Sequence, residues 1–94
     1  MIKHLNITVQ GKVQGVSYRA TTKAVADQLG VRGFVKNTED GGVYIEAEAE
    51  STLMDMFIEW CNEGPERARV TAVHTEEGDV KDYRNFEIVK KKIA

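Results

Sequence analysis

Gly11-Lys12-Val13-Gln14-Gly15-Val16-Ser17-Tyr18-Arg19 joins a stretch of strand character, Leu5-Asn6-Ile7-Thr8-Val9, to one of helical character, Ala20 to Leu29. Two glycines frame the loop, and an arginine stands where the helix begins. A loop of this kind turns successive backbone N–H groups toward one point. The helix N-terminus adds partial positive charge there, and Arg19 adds a full charge in a planar fork. The local physics describes a cradle for an oxyanion, phosphate above all. A Gly-rich turn can also be a plain tight connection, and a first-turn arginine can be simply solvated. The stretch alone leaves both readings open.

The flanking residues give the elements. Leu5, Ile7 and Val9 alternate with Asn6, Thr8 and Gln10, the period of a half-buried strand. His4 falls on the polar side of that alternation and is expected in solvent. Tyr18, Ala24, Val25 and Leu29 recur at helical spacing, and Gly30 is a fitting stop. Val31, Gly33 and Val35 alternate with Arg32, Phe34 and Lys36 in a second strand, and Asn37 leaves it on the Val31–Val35 side. Asp40-Gly41-Gly42 marks a tight turn. Val43, Ile45, Ala47 and Ala49 then face one way, and Tyr44, Glu46, Glu48 and Glu50 the other, so the second and third strands make a hairpin.

Ser51 or Thr52 is expected to cap a second helix, whose apolar face carries Leu53, Phe57, Trp60 and Cys61, with Met54 and Met56 nearby. Gly64-Pro65 ends it. Ala68 to Thr75 reads as a fourth strand, Glu76-Glu77-Gly78-Asp79 as a polar turn, and Phe86 to Val89 as a short last strand. Lys90-Lys91-Lys92 reads as a solvated tail. The order strand, helix, strand, strand, helix, strand predicts an α+β, ferredoxin-like βαββαβ sandwich. Two helices cover one face of a mainly antiparallel sheet, with an extra C-terminal edge strand. Glu46 and Glu48 are expected on the opposite face.

The 94 residues form one expected domain, 1–94, with net charge −2. That balance disfavours a general nucleic-acid binder. The chain has one cysteine, Cys61, so no internal disulfide can form. A lone thiol points to the reducing cytoplasm. No apolar run is long enough to span a bilayer, and the N-terminal stretch lacks the apolar core of a signal peptide. No His or Cys pair has ligand spacing, so neither metal nor cofactor is expected.

Two stretches identify a family. Gly11 to Arg19 resembles the first signature of acylphosphatases, and Gly33-Phe34-Val35-Lys36-Asn37-Thr38-Glu39-Asp40-Gly41-Gly42-Val43 resembles the second. The Gly64-Pro65 helix stop and the Phe86-Glu87-Ile88 ending are similar to that family's as well. Two positions depart: Tyr18 stands where the family has Phe or Met, and Ala49 where its third strand reaches glycine. A buried Tyr18 hydroxyl would need a partner.

The resemblance implies hydrolysis of an acyl phosphate to carboxylate and inorganic phosphate, the latter also a competitive ligand. It implies a small-molecule substrate; nothing in the sequence suggests more than a monomer, and neither nucleic acid nor membrane is expected as a partner. Arg19 matches the family's phosphate-binding arginine and Asn37 its water-positioning asparagine. The backbone N–H groups of Gly15, Val16, Ser17, Tyr18 and Arg19 match its phosphate loop.

The residues suit that chemistry. A carboxylate is a good leaving group, so the site needs no strong nucleophile, only a held phosphoryl group and a water in line. Asn37 is otherwise a turn-former, and Thr38 either orients the Asn37 amide or, by the simpler reading, favours a strand end. Ser17 has no histidine near in sequence to activate it. Lys12 and Lys36 are candidates for added positive potential. Glu39 and Asp40 fit turn solvation, and Cys61 the core. A phosphate sensor without turnover and an RNA-binding sheet are the competing classes. The first lacks a use for Asn37, and the second meets a face rich in glutamates.

Overall fold

The computed structural model describes residues 1–93, with side chains through Lys90. Its elements are β1 (Ile2–Lys12), α1 (Tyr18–Leu29), β2 (Arg32–Thr38), β3 (Val43–Glu50), α2 (Ser51–Glu63), β4 (Arg69–Gly78) and β5 (Phe86–Ile93). The five strands form one sheet in the order β4-β1-β3-β2-β5. β1 pairs antiparallel with β3 and β4, β2 pairs antiparallel with β3, and β5 joins the β2 edge in parallel. This is the ferredoxin-like α+β sandwich with a C-terminal edge strand.

The alternation of apolar residues explains the core. Ile7, Val9, Val35, Val43, Ile45 and Ala47 are fully buried on the helix-covered face. Met54, Phe57 and Cys61 of α2 pack on them, while Met56 points outward. Gly30 ends α1 in the left-handed conformation at φ 77°, and its N–H returns to Ala26 and Asp27. Neither Ser51 nor Thr52 caps α2. Ser51 is already its first residue, Glu50 holds the cap position, and no side chain satisfies the first N–H groups. Glu76 to Gly78 continue β4 rather than turning. Lys90 belongs to β5, while the side chains of Lys91 and Lys92, expected in solvent, lie outside the described residues.

The largest departure lies on the other face. His4 is not in solvent but 1% exposed, and Glu48 is fully buried. The connection from β4 to β5, residues 79–85, crosses this face and covers them. Glu48 accepts the backbone N–H groups of Lys81 and Tyr83, and its Oε2 lies 2.7 Å from His4 Nδ1. Glu46 accepts the Tyr44 hydroxyl at 2.8 Å, the Tyr83 hydroxyl at 2.7 Å and Lys81 Nζ at 3.3 Å. Tyr83 also meets Phe34 edge-on at 6.0 Å. Strand parity names the face a side chain takes, not what later chain covers it. A buried carboxylate is tolerable only with its lone pairs filled, and here the crossing segment fills them.

Burial pushes the Glu48 carboxyl up, but the Lys81 N–H, His4 and the Tyr83 N–H outweigh it and hold it below the usual carboxylate range. Its folded pKa is therefore depressed. The stability it contributes is complete above the unfolded pKa and is lost as pH falls through the folded one. Glu48→Gln leaves two backbone donors facing a single oxygen and an NH2 group. We expect a loss of about 2–4 kcal/mol at neutral pH in urea unfolding. The gap between the two proteins should narrow below about pH 5. A gap independent of pH would mean that the Glu48 charge contributes nothing.

Candidate functional site

β1 ends where the loop begins, and the loop delivers the chain to α1. Gly15 adopts φ 70°, and Ser17, though not glycine, adopts φ 63°. Gly15 carries its conformation without cost, whereas left-handed Ser17 is strained by roughly 1–3 kcal/mol. Left-handed residues flanking Val16 curl the backbone so that its N–H groups converge. Among the described residues, no backbone carbonyl accepts from the N–H groups of Gly15 through Arg19; the first return bond of α1 runs from Thr21 N to Ser17 O at 3.0 Å. These donors stand at the positive end of α1.

Tyr18 anchors the loop from below. It is 1% exposed, and its hydroxyl donates to Cys61 O at 2.8 Å. Its ring lies 5.3 Å from that of Trp60. The hydroxyl that replaces a plain apolar ring thus has its partner, and burial pushes its pKa up. Burial likewise raises the Cys61 thiol to about 12, so it is a neutral core group.

A cavity of about 270 Å³ opens above the loop. Gly15, Ser17, Arg19 and Asn37 line it, with Ile88 and Lys90 from β5. The sheet explains the meeting of Asn37 and the loop. Val43 of β3 pairs with Val9 on one side and Asn37 on the other. Asn37 therefore lies in the row where the β1–β3 pairing ends, on the helix-covered face. Its Oδ1 is buried with no hydrogen-bond partner among the described residues. A buried amide oxygen without a partner is costly in a native protein and is a mark of function. Rotation about Cβ–Cγ exchanges oxygen and NH2 group, so the side chain can turn either toward the cavity. Arg19 Nη1 donates a long bond, 3.4 Å, to Val89 O, which ties it to β5.

Sequence reasoning gave Gln14 no role. Its Nε2 donates to Thr38 O and Gly42 O, both at 2.8 Å, and so bolts the loop to the hairpin that carries Asn37. Its partners are backbone carbonyls far along the chain, which no local pattern signals. Thr38 builds the turn instead of orienting Asn37: its hydroxyl donates to Asp40 and accepts Gly42 N. The Thr38 hydroxyl and the Gly42 N–H hold the Asp40 carboxyl below its usual range. Lys36 lies over the Phe34 and Tyr44 rings, 5.4 and 5.8 Å from their centres, on the far face of the sheet. It does not line the cavity. Lys90, expected only as a solvated tail residue, lines the cavity. No histidine lines it to activate Ser17.

The arrangement can take an oxyanion on backbone N–H groups and a guanidinium, and present an amide to whatever stands beside it. The acylphosphatase family model matches residues 5–88. An acylphosphatase of Acaryochloris marina is 44% identical over 86 residues, 92% of each chain. One of Marinobacter nauticus is 49% identical over 81% of this chain and 83% of its own. The crystal structure of acylphosphatase from Bacillus subtilis superposes with a TM-score of 0.90 at 33% identity, over 95% of this chain and 99% of that one.

Gln14→Ala removes both bonds between loop and hairpin. We expect folded protein, less stable by about 1–2 kcal/mol. Turnover of an acyl phosphate should drop about ten-fold or more as loop and Asn37 lose their mutual position. Thermal unfolding and steady-state kinetics check both, and unchanged turnover would show that the bolt is only structural.

Proposed function

The chain belongs to the acylphosphatase family, enzymes that hydrolyse the carboxyl–phosphate bond, and we propose that it does so without a metal, by direct attack of a positioned water. One observation carries the reading: Gly15, Ser17, Tyr18 and Arg19, whose N–H groups find no backbone acceptor among the described residues, line the same cavity as Asn37, whose Oδ1 has no partner among them.

In this reading the phosphoryl oxygens lie on the N–H groups of Gly15, Val16, Ser17, Tyr18 and Arg19, and the Arg19 guanidinium spans two of them. Both compensate the charge that spreads over the equatorial oxygens in the transition state. Asn37 holds the water opposite the leaving carboxylate. The water oxygen bonds to phosphorus as the bond from phosphorus to the acyl oxygen breaks, and the carboxylate leaves with the electron pair. An amide takes up no proton at neutral pH. The water's proton passes to a phosphate oxygen or to the departing carboxylate. Inorganic phosphate, the product, competes for the cradle. The reading includes a monomer of one domain, working in the cytoplasm, which the reduced, buried Cys61 suits.

A phosphate sensor built on the same cradle would have no use for Asn37. Asn37→Ala should therefore leave phosphate affinity nearly unchanged and lower turnover by roughly 10²-fold or more. Arg19→Gln should instead weaken competing phosphate as well as rate, by about 2–5 kcal/mol in binding, with little rescue by lysine. Competition kinetics on the two variants check the split. Full turnover in folded Asn37→Ala protein would return Asn37 to a turn-former. Exhaustive chelation should leave hydrolysis intact. Activity lost to chelator and restored by magnesium would reveal a ligand set outside this account.

A further inference from the structure

A second cavity, of about 620 Å³, shares Gly15 with the first and is lined by Lys12, Arg67 and Arg69 with Glu66 and Gln14. The whole chain carries net charge −2, yet here three cations face one carboxylate. None of the four charged groups forms an ion pair with a described residue.

The sheet makes this arrangement costly. A bulge at Gln10 and Gly11 shifts the β1–β4 register, and beyond it Lys12 is paired directly with Arg69. Like charges placed opposite each other destabilise a strand pair. Arg67 is brought to the same place by the turn that Ala68 N closes on Pro65 O at 2.9 Å. A cross-strand cation pair with a third cation beside it gains a counter-charge when an anion lies among them. Gly15 lies on the wall of both cavities, and a Cβ there would meet nothing within 4 Å. At Gly15, therefore, no side chain stands between the two cavities.

We propose that Lys12, Arg67 and Arg69 form a second oxyanion subsite, which takes a carboxylate or phosphate carried at the far end of the substrate's acyl group. The proposal rests on the hydrolase reading above and names its substrate class: acyl phosphates with a second anionic group. The arginine forks match either oxyanion. The groups are exposed, so the gain is modest and sensitive to salt.

The test compares acetyl phosphate, whose acyl end is neutral, with succinyl phosphate, whose acyl end is a carboxylate. It uses the wild type and the double variant Arg67→Gln/Arg69→Gln at low salt. The double variant should raise KM for succinyl phosphate roughly five-fold, leave its kcat unchanged, and leave both constants for acetyl phosphate unchanged. The wild-type preference should fade at about 0.5 M salt. Thermal unfolding should show the variant no less stable, since a repulsion has been removed. Calorimetric titration with inorganic phosphate separates the other source of the same chemistry. A second, non-competing phosphate lost in the variant, with both substrates behaving alike, would assign the cluster to a free anion and overturn the acyl-end assignment. Equal KM values unaffected by the substitutions, with one phosphate bound, would overturn the subsite altogether. Failure to turn over either substrate would instead sink the hydrolase reading, and the titration would still count the sites.

Discussion

The site depends on β1 and β2 both pairing with β3. Each runs antiparallel to it, so the two run parallel to each other and finish at the same edge of the sheet. The loop after β1 and the last residues of β2 are distant in sequence and adjacent in space for that reason alone. The row Val9–Val43–Asn37 states the constraint at residue level. A slip of one residue in β2 would send Asn37 to the other face. The buried side chain of Val35 resists such a slip, because it would leave the core for the far face of the sheet. Core packing thereby sets the position of a polar side chain to which it contributes nothing chemically.

Three further devices hold the loop within that frame. Gln14 ties it to the hairpin, Tyr18 ties it to the last turns of α2, and β5 approaches Arg19 through Val89. The last of these depends on the far side of the sheet. β5 reaches its edge only because residues 79–85 cross from β4, and that crossing is fastened by Glu48 and Glu46. Lys23 joins in by donating to Phe86 O at 2.9 Å from the exposed side of α1. The polar cluster under the sheet and the cradle above it thus share one strand. The strain in Ser17 is held by this surrounding structure; on the proposed reading its return is a set of N–H groups fixed before the phosphoryl group arrives.

Much of this was legible in the sequence because it is local. Alternation in Val43 to Glu50 gave the third strand, Asp40-Gly41-Gly42 the hairpin, and Gly30 and Gly64 the helix stops. The two long motifs placed Arg19 and Asn37 at the ends of elements that the topology then brings together. What was not legible is what chain arriving later does to a face. His4 and Glu48 carry the parity of solvent positions, and only the crossing of residues 79–85, which has no periodicity, buries them. Gln14 bonds to carbonyls rather than side chains, so no residue type marks its partners. Lys90 resembled part of a basic tail because a run of lysines hides the strand beneath it. The facing of Lys12 and Arg69 depends on a bulge whose register no pattern of residue types records.

On the proposed mechanism water attacks phosphorus directly, with no phosphorylated intermediate on Ser17 or any other residue. An acyl phosphate made chiral at phosphorus by oxygen isotopes, with one sulfur replacing a non-bridging oxygen, reports the number of displacements. A single in-line attack by water inverts the configuration of the thiophosphate product, and inversion is expected. Retention would mean two displacements through a covalent phosphoenzyme, and it would contradict the account of Asn37 and the cradle given above.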